Sequence, residues 1–497
     1  MIRYESTRQL TIEEFKTPFQ TSLLPENRWV KLAEVVPWDK FASIYISMMN
    51  KSFGRPAVSP RIVLGALIIK HIEKLDDRGV VDAIQENPYM QFFIGLKEFD
   101  PQPVFDPSLF VEIRKRVGHE AFDSLTVDLI NSISQEEDKK HNKKDDDQSD
   151  PPNKGKMQAD ATVADQYIAY PTDNGLLNQS RKKLEGLIDQ LYLLNGKKGT
   201  KPRTYRRKLD NAYLDYSKKK KKSKATHRKM TRKLLEGVTR DIAHINKFLE
   251  AFEKQKWPSP LTPAQRRMFW IINTVFDQQK QMFDTKTHSC PDRIVNIFQP
   301  HVRPIPRGKT KAQIEFGSKL GVSLDRGFAR INSFRWDAYH EAGDLIGQVK
   351  DYKKLHGHYP ELVQVDRIYA TRENRMWLKE RNIRITAPPL GRRSIKEPES
   401  YYQRRKRKKE ALERNHIEAK FGQGKNGYNL NKIRARLKET SESWIACVFF
   451  VMNLVHMENQ YIFGSLPKII DKFLYQLFGR FFFFLGYRAA LIALQKT

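Results

Sequence analysis

Short apolar runs typical of β-strands occur at four separate places in this chain, and a long helical stretch divides the first from the others. The runs are Met157–Val163, the β-rich segments within Arg293–Ile331, Leu362–Val365 and Ile383–Thr386. Between the first two lies Ser180–Trp257, which is basic and has its leucines at helical spacing. Strands alternating with helices predict a mixed-sheet α/β domain, and the helical stretch is then a long insertion into it.

The segment before residue 135 is predicted to be all helical. Ser59-Pro60 is a favourable helix start, and the residues up to Ile72 are apolar enough for a buried helix. Asp76–Gly79 breaks this helix, and a shorter one follows up to Asn87-Pro88. Two helices across a short turn are typical of a helix-turn-helix DNA-binding unit, and an ordinary helical hairpin fits the pattern equally well.

Net charge narrows the class of binding partner. The chain has 497 residues, with 89 Lys and Arg against 58 Asp and Glu, a formal charge of +31. Such an excess indicates a polyanionic partner, although ribosomal and membrane-surface proteins can be as basic. Only two cysteines occur, Cys290 and Cys447, which excludes a disulfide framework and a cysteine-based zinc site and fits a reducing cytoplasm.

Two segments are predicted to lie outside the folded domains. Residues 135–156 are charged and polar, as in a disordered linker. The carboxy-terminal segment 456–497 includes a Phe-rich run that also carries Gln476, Arg480 and Arg488, which disfavour a membrane-spanning helix. We therefore expect no membrane association, and leave open a packing helix or a poorly ordered tail.

Two aspartates stand at strands that an α/β sheet would bring together. Asp160 lies within the first strand, and Asp366 directly follows Leu362–Val365. Carboxylates at the ends of neighbouring strands converge at one sheet edge. A single aspartate at a strand end more commonly caps a turn, so the pair carries the argument.

A third acidic residue, Glu418, lies in a helix after the basic run Arg404–Lys409. At 100° per residue, Glu418 and Lys425 fall about 40° and 20° around the helix from Arg414, so all three share one face. A surface ion-pair ladder explains this spacing as well as a functional site does. In the functional interpretation, one metal-binding carboxylate lies beside two cations that hold phosphates.

Three carboxylates suit metal-dependent phosphodiester chemistry. Two Mg²⁺ ions about 3.5–4 Å apart can activate an attacking oxygen and stabilise the leaving one. Hard cations prefer carboxylate oxygens, and Mg²⁺ needs few protein ligands because it keeps several waters.

Several blocks of the chain resemble bacterial insertion-sequence DDE transposases, in the family's order. Asp160-Ala161-Thr162 with Ile168–Asp173 is similar to their first catalytic block, and Arg303–Lys309 with Ile314–Gly317 to their β region. Asp366–Tyr369, with Asn374 and Pro388–Arg392, is similar to the second block. Arg414, Glu418 and Lys425 fit the third signature: Arg, three residues, Glu, six residues, Lys. Gly54–Pro56 through Asn87–Tyr89 resembles the family's helical amino-terminal domain.

The resemblance implies a ribonuclease H-like catalytic fold in which Asp160, Asp366 and Glu418 bind metal. It implies two Mg²⁺ ions, with Mn²⁺ as a substitute, and double-stranded DNA, both element ends and target, as the partner. Arg414 and Lys425 then contact DNA phosphates, which suits their charge. By analogy, the protein is expected to be a homodimer on paired DNA ends, cytoplasmic and associated with the nucleoid.

The domain organisation expected on this basis has four parts. They are a helical DNA-binding domain (1–134), the linker (135–156), a DDE catalytic domain (157–455, with 180–290 inserted) and the hydrophobic tail (456–497). A transposase that binds element ends and cleaves and joins strands is the function expected. A metal-dependent nuclease without joining activity and an inactive DNA-binding remnant are the alternatives.

Overall fold

The computed structural model describes residues 14–17, 22–47, 49, 58–141, 152–256, 258–306, 314–387 and 400–460, with backbone only for 132–141 and 403. The Phe-rich run of the expected tail lies outside these residues. Among the residues described, none of the helices combines the length and apolar character needed to span a bilayer.

The amino-terminal region is helical, as predicted. Its helices are α1 (Arg28–Val35), α2 (Trp38–Ser47), α3 (Pro60–Ile72), α4 (Asp77–Glu86), α5 (Pro88–Phe93), α6 (Leu109–Arg116) and α7 (His119–His141). The break between α3 and α4 has a local cause, because the Asp76 carboxylate accepts a hydrogen bond from the backbone N–H of Gly79 and caps α4. The exposed side chains of α4 include Arg78, Asp82 and Glu86.

One mixed sheet forms the centre of the second half. Its strands are β1 (Lys156–Asp165), β2 (Arg303–Pro306), β3 (Ile314–Asp325), β4 (Phe328–Arg335), β5 (Leu362–Val365) and β6 (Arg384–Ile385). The order is β2-β3-β1-β5-β6, with β4 also pairing with β3. β1 is antiparallel to β3 and parallel to β5, and β5 is parallel to β6. A mixed α/β sheet is therefore confirmed.

A helical block is inserted between β1 and β2. Its helices are α8 (Asp173–Leu194), α9 (Arg206–Lys218), α10 (Lys224–Lys254) and α11 (Pro263–Thr285). Apolar residues of α8, α10 and α11 pack into a core separate from those of the sheet. The block begins at Asp173 and not at residue 180, because the Thr172 hydroxyl accepts a hydrogen bond from Gly175 N–H and caps α8.

Helices cover both faces of the sheet. They are α12 (Leu345–His356), α13 (Arg372–Lys379), α14 (Tyr401–Glu413), α15 (Asn415–Gly427) and α16 (438–460). On one face, Met157 and Val363 pack with Leu345 of α12 and Leu378 of α13. On the other face, residues of β3 and β4 pack against α15 and α16.

Helix α16 also joins the sheet to the amino-terminal helices. Buried apolar residues of α1–α7, β3, β4, α15 and α16 form one continuous cluster, which we call the joint core. The Phe41 and Phe450 ring centroids are 5.0 Å apart, and the Lys70 ammonium lies 3.9 Å from the Trp444 ring centroid. The amino-terminal helices are therefore packed onto the sheet domain.

Two boundaries differ from those expected for the linker and the tail. Helix α7 continues to His141, seven residues into the segment assigned to the linker from residue 135. At the other end, 456–460 belong to α16, whose Met457 is buried in the joint core. In both places a helix continues past the point where the sequence turns polar or changes in composition.

Candidate active site

The structure brings Asp160 and Asp366 together on adjacent parallel strands. Ala159 of β1 and Val365 of β5 are register partners, and the two aspartates are the next residues on their strands. Each carboxylate also accepts a hydrogen bond from the backbone N–H of the residue after it, at 2.8 Å for Asp160 and 2.6 Å for Asp366. Both side chains are therefore oriented by their own backbone.

Asp160 is poorly solvated and lies among other carboxylates. Burial, with the nearby charges of Glu341 and Asp366, raises the pKa of Asp160 to about 6, although the Ala161 hydrogen bond and the Arg414 guanidinium oppose this. A carboxylate whose charged form is disfavoured by its surroundings gains when a cation binds beside it. The site therefore has uncompensated negative charge.

Arg414 connects Asp160 to Glu418. It lies at the junction of α14 and α15, and one guanidinium nitrogen is 3.0 Å from Glu418 Oε1 while the other is 4.0 Å from Asp160 Oδ2. The shared helix face predicted for Arg414 and Glu418 is thus observed as a direct contact. Glu418 is 54% exposed, so its side chain has room to turn.

The three carboxylates are neighbours but do not form a preassembled metal cluster. Among the described residues, no group of three or more His, Cys, Asp or Glu side chains is arranged to hold a metal ion. The set Asp160, Asp366 and Glu418 is nonetheless all oxygen, the ligand type that Mg²⁺ prefers. Asp160 and Asp366 are adjacent, whereas Glu418 is in contact with Arg414.

Lys425 lies apart from this group. Its ammonium is 3.4 Å from Glu315 Oε1 and 3.8 Å from Asp165 Oδ2. Helix α15 runs alongside β1. Lys425 lies eleven residues along the helix from Arg414, and its contact Asp165 lies five residues along the strand from Asp160. Either spacing corresponds to about 16 Å. The angular argument placed Lys425 on the correct helix face, but its distance along the axis separates it from the carboxylates.

Glu341 was missed in the sequence. It lies in a 3-10 turn before α12, where its Oε2 is 2.7 Å from the Lys319 ammonium, and its charge contributes to the raised pKa of Asp160. Nothing in the local sequence marks it, because it does not directly follow a strand and its neighbours have no metal-ligand spacing.

A basic helix leads into the site. Helix α14 ends directly before Arg414, and its exposed side chains include Arg404, Arg405 and Lys408. Adjacent cations on an exposed face suit a polyanion backbone, since each neutralised phosphate releases counterions.

Comparison with known proteins gives two family matches, one towards each end of the chain. Residues 363–455 match the family model described as a transposase DDE domain, and residues 18–116 match a second, described as a transposase domain (DUF772). The chain belongs to the insertion-sequence DDE transposases. The ribonuclease H-like fold of this family is consistent with the mixed sheet. Divalent metals are generally used by such transposases, and DNA is generally their partner.

One relative of this transposase is an uncharacterized protein, ORF8 in the nfe locus of Rhizobium meliloti. It is 30% identical over 162 residues, which cover 33% of this chain and 73% of the relative. No solved structure matches significantly. Asp366, Glu418 and both candidate DNA-binding cations lie within the matched DDE range, whereas Asp160 precedes it.

Proposed function

We propose that this transposase binds the ends of its insertion sequence and carries out metal-dependent DNA strand cleavage and strand transfer at Asp160, Asp366 and Glu418. The observation that carries the proposal is the placement of Asp160 and Asp366 after register partners on parallel strands, with Glu418 tied to Asp160 through Arg414. These residues come from three separate stretches of chain.

The three carboxylates are the proposed ligands of two Mg²⁺ ions, with Mn²⁺ as a substitute. Asp160 and Asp366 would hold the ions from adjacent strands, and Glu418 would reach them from α15 by leaving its contact with Arg414. A bound pair of such ions supplies activation of the attacking water or 3′-hydroxyl and stabilisation of the leaving oxygen. When Glu418 turns inward it releases the Arg414 guanidinium, which is then available for bidentate contact with a phosphate.

Contacts with double-stranded DNA are proposed along the same side of the molecule. The exposed cations of α14 precede Arg414, and Lys425 lies about 16 Å further along α15, a few nucleotides of backbone away. Lys425 reaches a phosphate by exchanging its Asp165 and Glu315 contacts. Residues 1–134 are the proposed DNA-end-binding part, and a homodimer on paired ends, associated with the nucleoid, is the proposed assembly.

The test is a joining reaction with purified protein, Mg²⁺, a target plasmid and a donor plasmid that carries the gene with its native flanking DNA. We expect Asp160→Asn, Asp366→Asn and Glu418→Gln each to abolish joined products while DNA-end binding in EDTA persists. Glu373→Gln, an exposed residue of α13, is the matched control and is expected to join like the wild type.

Wild-type joining by any of the three variants would remove that residue from the mechanism. A second reaction supplies a pre-cleaved end with a free 3′-hydroxyl. Joined products support a transposase, whereas cleaved but never joined DNA supports a nuclease and overturns the strand-transfer part of the proposal.

A further inference from the structure

One carboxylate beside the proposed metal ligands has no part in the proposed reaction. Glu341 begins the 3-10 turn Glu341–Asp344, and its Oε2 lies 2.7 Å from the Lys319 ammonium. The two side chains are 16% and 17% exposed, so both are in contact with solvent. This ion pair is therefore accessible to water and to a hydrated cation, unlike a pair enclosed in the core.

The turn that begins at Glu341 is fastened to the turn that follows Asp366. The buried side-chain amide of Asn374 donates to the backbone carbonyls of Ala342 and Tyr369, both at 2.8 Å. Ala342 directly follows Glu341, and Tyr369 is the third residue after Asp366. The backbone at Glu341 is therefore held near the carboxylate site independently of the contacts of its own side chain.

The Glu341 carboxylate lies close enough to Asp160 to act on its charge. Burial raises the pKa of Asp160, and the charge of Glu341 raises it further, by more than the charge of Asp366 does. Burial also raises the pKa of Tyr369, as do the charges of Glu341 and Asp160, so the buried Tyr369 hydroxyl lies near both carboxylates. This hydroxyl has no hydrogen-bond partner among the described residues, and it therefore holds neither carboxylate in place.

Lys319 does not depend on Glu341 for its position. Its ammonium also donates to the Tyr339 backbone carbonyl at 3.0 Å and lies 5.0 Å from the centroid of the Tyr339 ring. Partly exposed ion pairs contribute little to stability. Glu341 is therefore able to exchange Lys319 for another cation while Lys319 keeps its remaining contacts.

We infer that Glu341 is a positioning residue of the proposed cation site: its carboxylate accepts hydrogen bonds from water bound to a divalent cation at Asp160 and Asp366, and it pairs with Lys319 when no cation is bound. Mg²⁺ keeps several of its waters in protein sites, and side chains that act through a metal's ligands contribute strongly to affinity. Contact through water fits the described residues, among which no three such side chains are arranged to hold a metal directly. The inference rests on the proposed function, in which both aspartates bind metal.

The test is calorimetric titration of the full-length protein with Mn²⁺ in the absence of DNA. We expect Glu341→Gln to weaken Mn²⁺ binding by about tenfold or more, the usual effect of losing a side chain that acts through a metal's ligands. Lys319→Gln is expected to strengthen Mn²⁺ binding by about threefold or more, because it removes a positive charge from beside the site. Both variants break the same ion pair, so a purely structural role would change the affinity in the same direction.

The matched control is Glu373→Gln, at an exposed residue of α13, which is expected to bind Mn²⁺ as the wild type does. Wild-type affinity of Glu341→Gln, or unchanged or weaker binding by Lys319→Gln, would overturn the inference alone. Asp160→Asn is titrated in parallel and is expected to abolish binding. If Asp160→Asn binds Mn²⁺ normally, or the wild type binds none, the proposed metal ligands are wrong and the inference fails with them.

Discussion

At the scale of single residues, two buried tyrosines differ in whether the hydroxyl group forms a hydrogen bond. The Tyr352 hydroxyl donates to the Lys154 carbonyl at 3.1 Å, whereas the Tyr369 hydroxyl, beneath the carboxylate site, has no partner among the described residues. Burial raises the pKa of Tyr369, as do the nearby charges of Glu341 and Asp160, so the ring stays neutral. The hydroxyl of Tyr369 therefore adds polarity to the core without a compensating contact.

We expect Tyr369→Phe to leave the free energy of unfolding unchanged or raise it by up to about 1 kcal/mol, because it removes an unpaired buried hydroxyl. Tyr352→Phe, the matched substitution, is expected to lower it by about 1 kcal/mol, since the Lys154 carbonyl loses its donor. Urea unfolding measures both. A larger loss for Tyr369→Phe than for Tyr352→Phe would show that the Tyr369 hydroxyl has an unseen partner.

At this scale, the sequence predicted that Asp160 and Asp366 are neighbours because carboxylates on neighbouring strands of one sheet converge. In the structure only Asp366 follows the end of its strand, whereas Asp160 lies within β1. It also placed Arg414 and Glu418 in contact, since four residues make about one helical turn. It could not place Glu341, which reaches Asp160 from a turn that only tertiary packing positions. Contacts between charges distant in sequence, such as those of Lys425 with Asp165 and Glu315, could not be predicted either.

Among the elements, the inserted helical block contains a buried carboxylate that titrates near neutrality. Asp241 of α10 is fully buried, neither of its oxygens has a hydrogen-bond partner among the described residues, and burial raises its pKa to about 7. Because the folded-state pKa lies above the ordinary value of 3.8, the folded protein holds a proton that the unfolded chain releases. Stability of the block therefore falls as pH rises from about 4 to about 7.

We expect Asp241→Asn to remove this pH dependence and to stabilise the block by about 4 kcal/mol at pH 8 and by less than half of that at pH 5. Thermal unfolding at the two pH values measures the difference. Asp284→Asn, at an exposed position of α11, is the matched control and should change neither value. Equal effects of Asp241→Asn at both pH values would contradict the assigned titration.

One buried asparagine of helix α16 hydrogen-bonds the backbone of strand β4. The Asn453 amide accepts from the Ala329 backbone N–H at 2.9 Å and donates to its carbonyl at 2.7 Å, and both residues are fully buried. Asn453→Ala leaves two backbone groups unpaired, and we expect it to lower the free energy of unfolding by about 3 kcal/mol. Asn459→Ala, exposed on the same helix, is expected to have little effect on urea unfolding. Similar losses for both variants would contradict this role.

The types of these elements could be read from apolar periodicity, whereas several boundaries could not. Helix α8 begins early because Thr172 caps it, and α7 runs on through polar residues to His141. A change in composition marks where a chain stops being apolar, but a helix ends where its backbone hydrogen bonds end. No local sequence pattern indicates that α16 packs between the amino-terminal helices and the sheet.

At the scale of the whole molecule, the joint core and the core of the inserted block are expected to unfold separately. The joint core includes amino-terminal helices, sheet and α16, whereas the inserted block has its own core. Ile69 of α3, Leu454 of α16 and Ile188 of α8 are all buried. We expect Ile69→Ala and Leu454→Ala to lower the midpoint temperature of the same calorimetric transition, and Ile188→Ala to lower that of a different transition. Each substitution is expected to lower the free energy of unfolding by about 2–5 kcal/mol.

The comparison between Ile69→Ala and Leu454→Ala decides the matter, because the two positions are distant in sequence and belong to different expected domains. If each shifts a transition of its own, the amino-terminal helices and the sheet are separate folding units and the joint core is not cooperative. Ile188→Ala serves as the internal reference for an independent unit.

The position of α16 limits how parts can be exchanged between transposases of this kind. A chimera joined after residue 141 would transfer the amino-terminal helices without the surface against which Phe41 and Lys70 pack. Apolar residues of the joint core, on both sides of the new interface, would then be exposed to water or packed against unmatched side chains. The inserted helices α8–α11, whose apolar residues have a core of their own, are the segment that engineering could replace while the joint core stays closed.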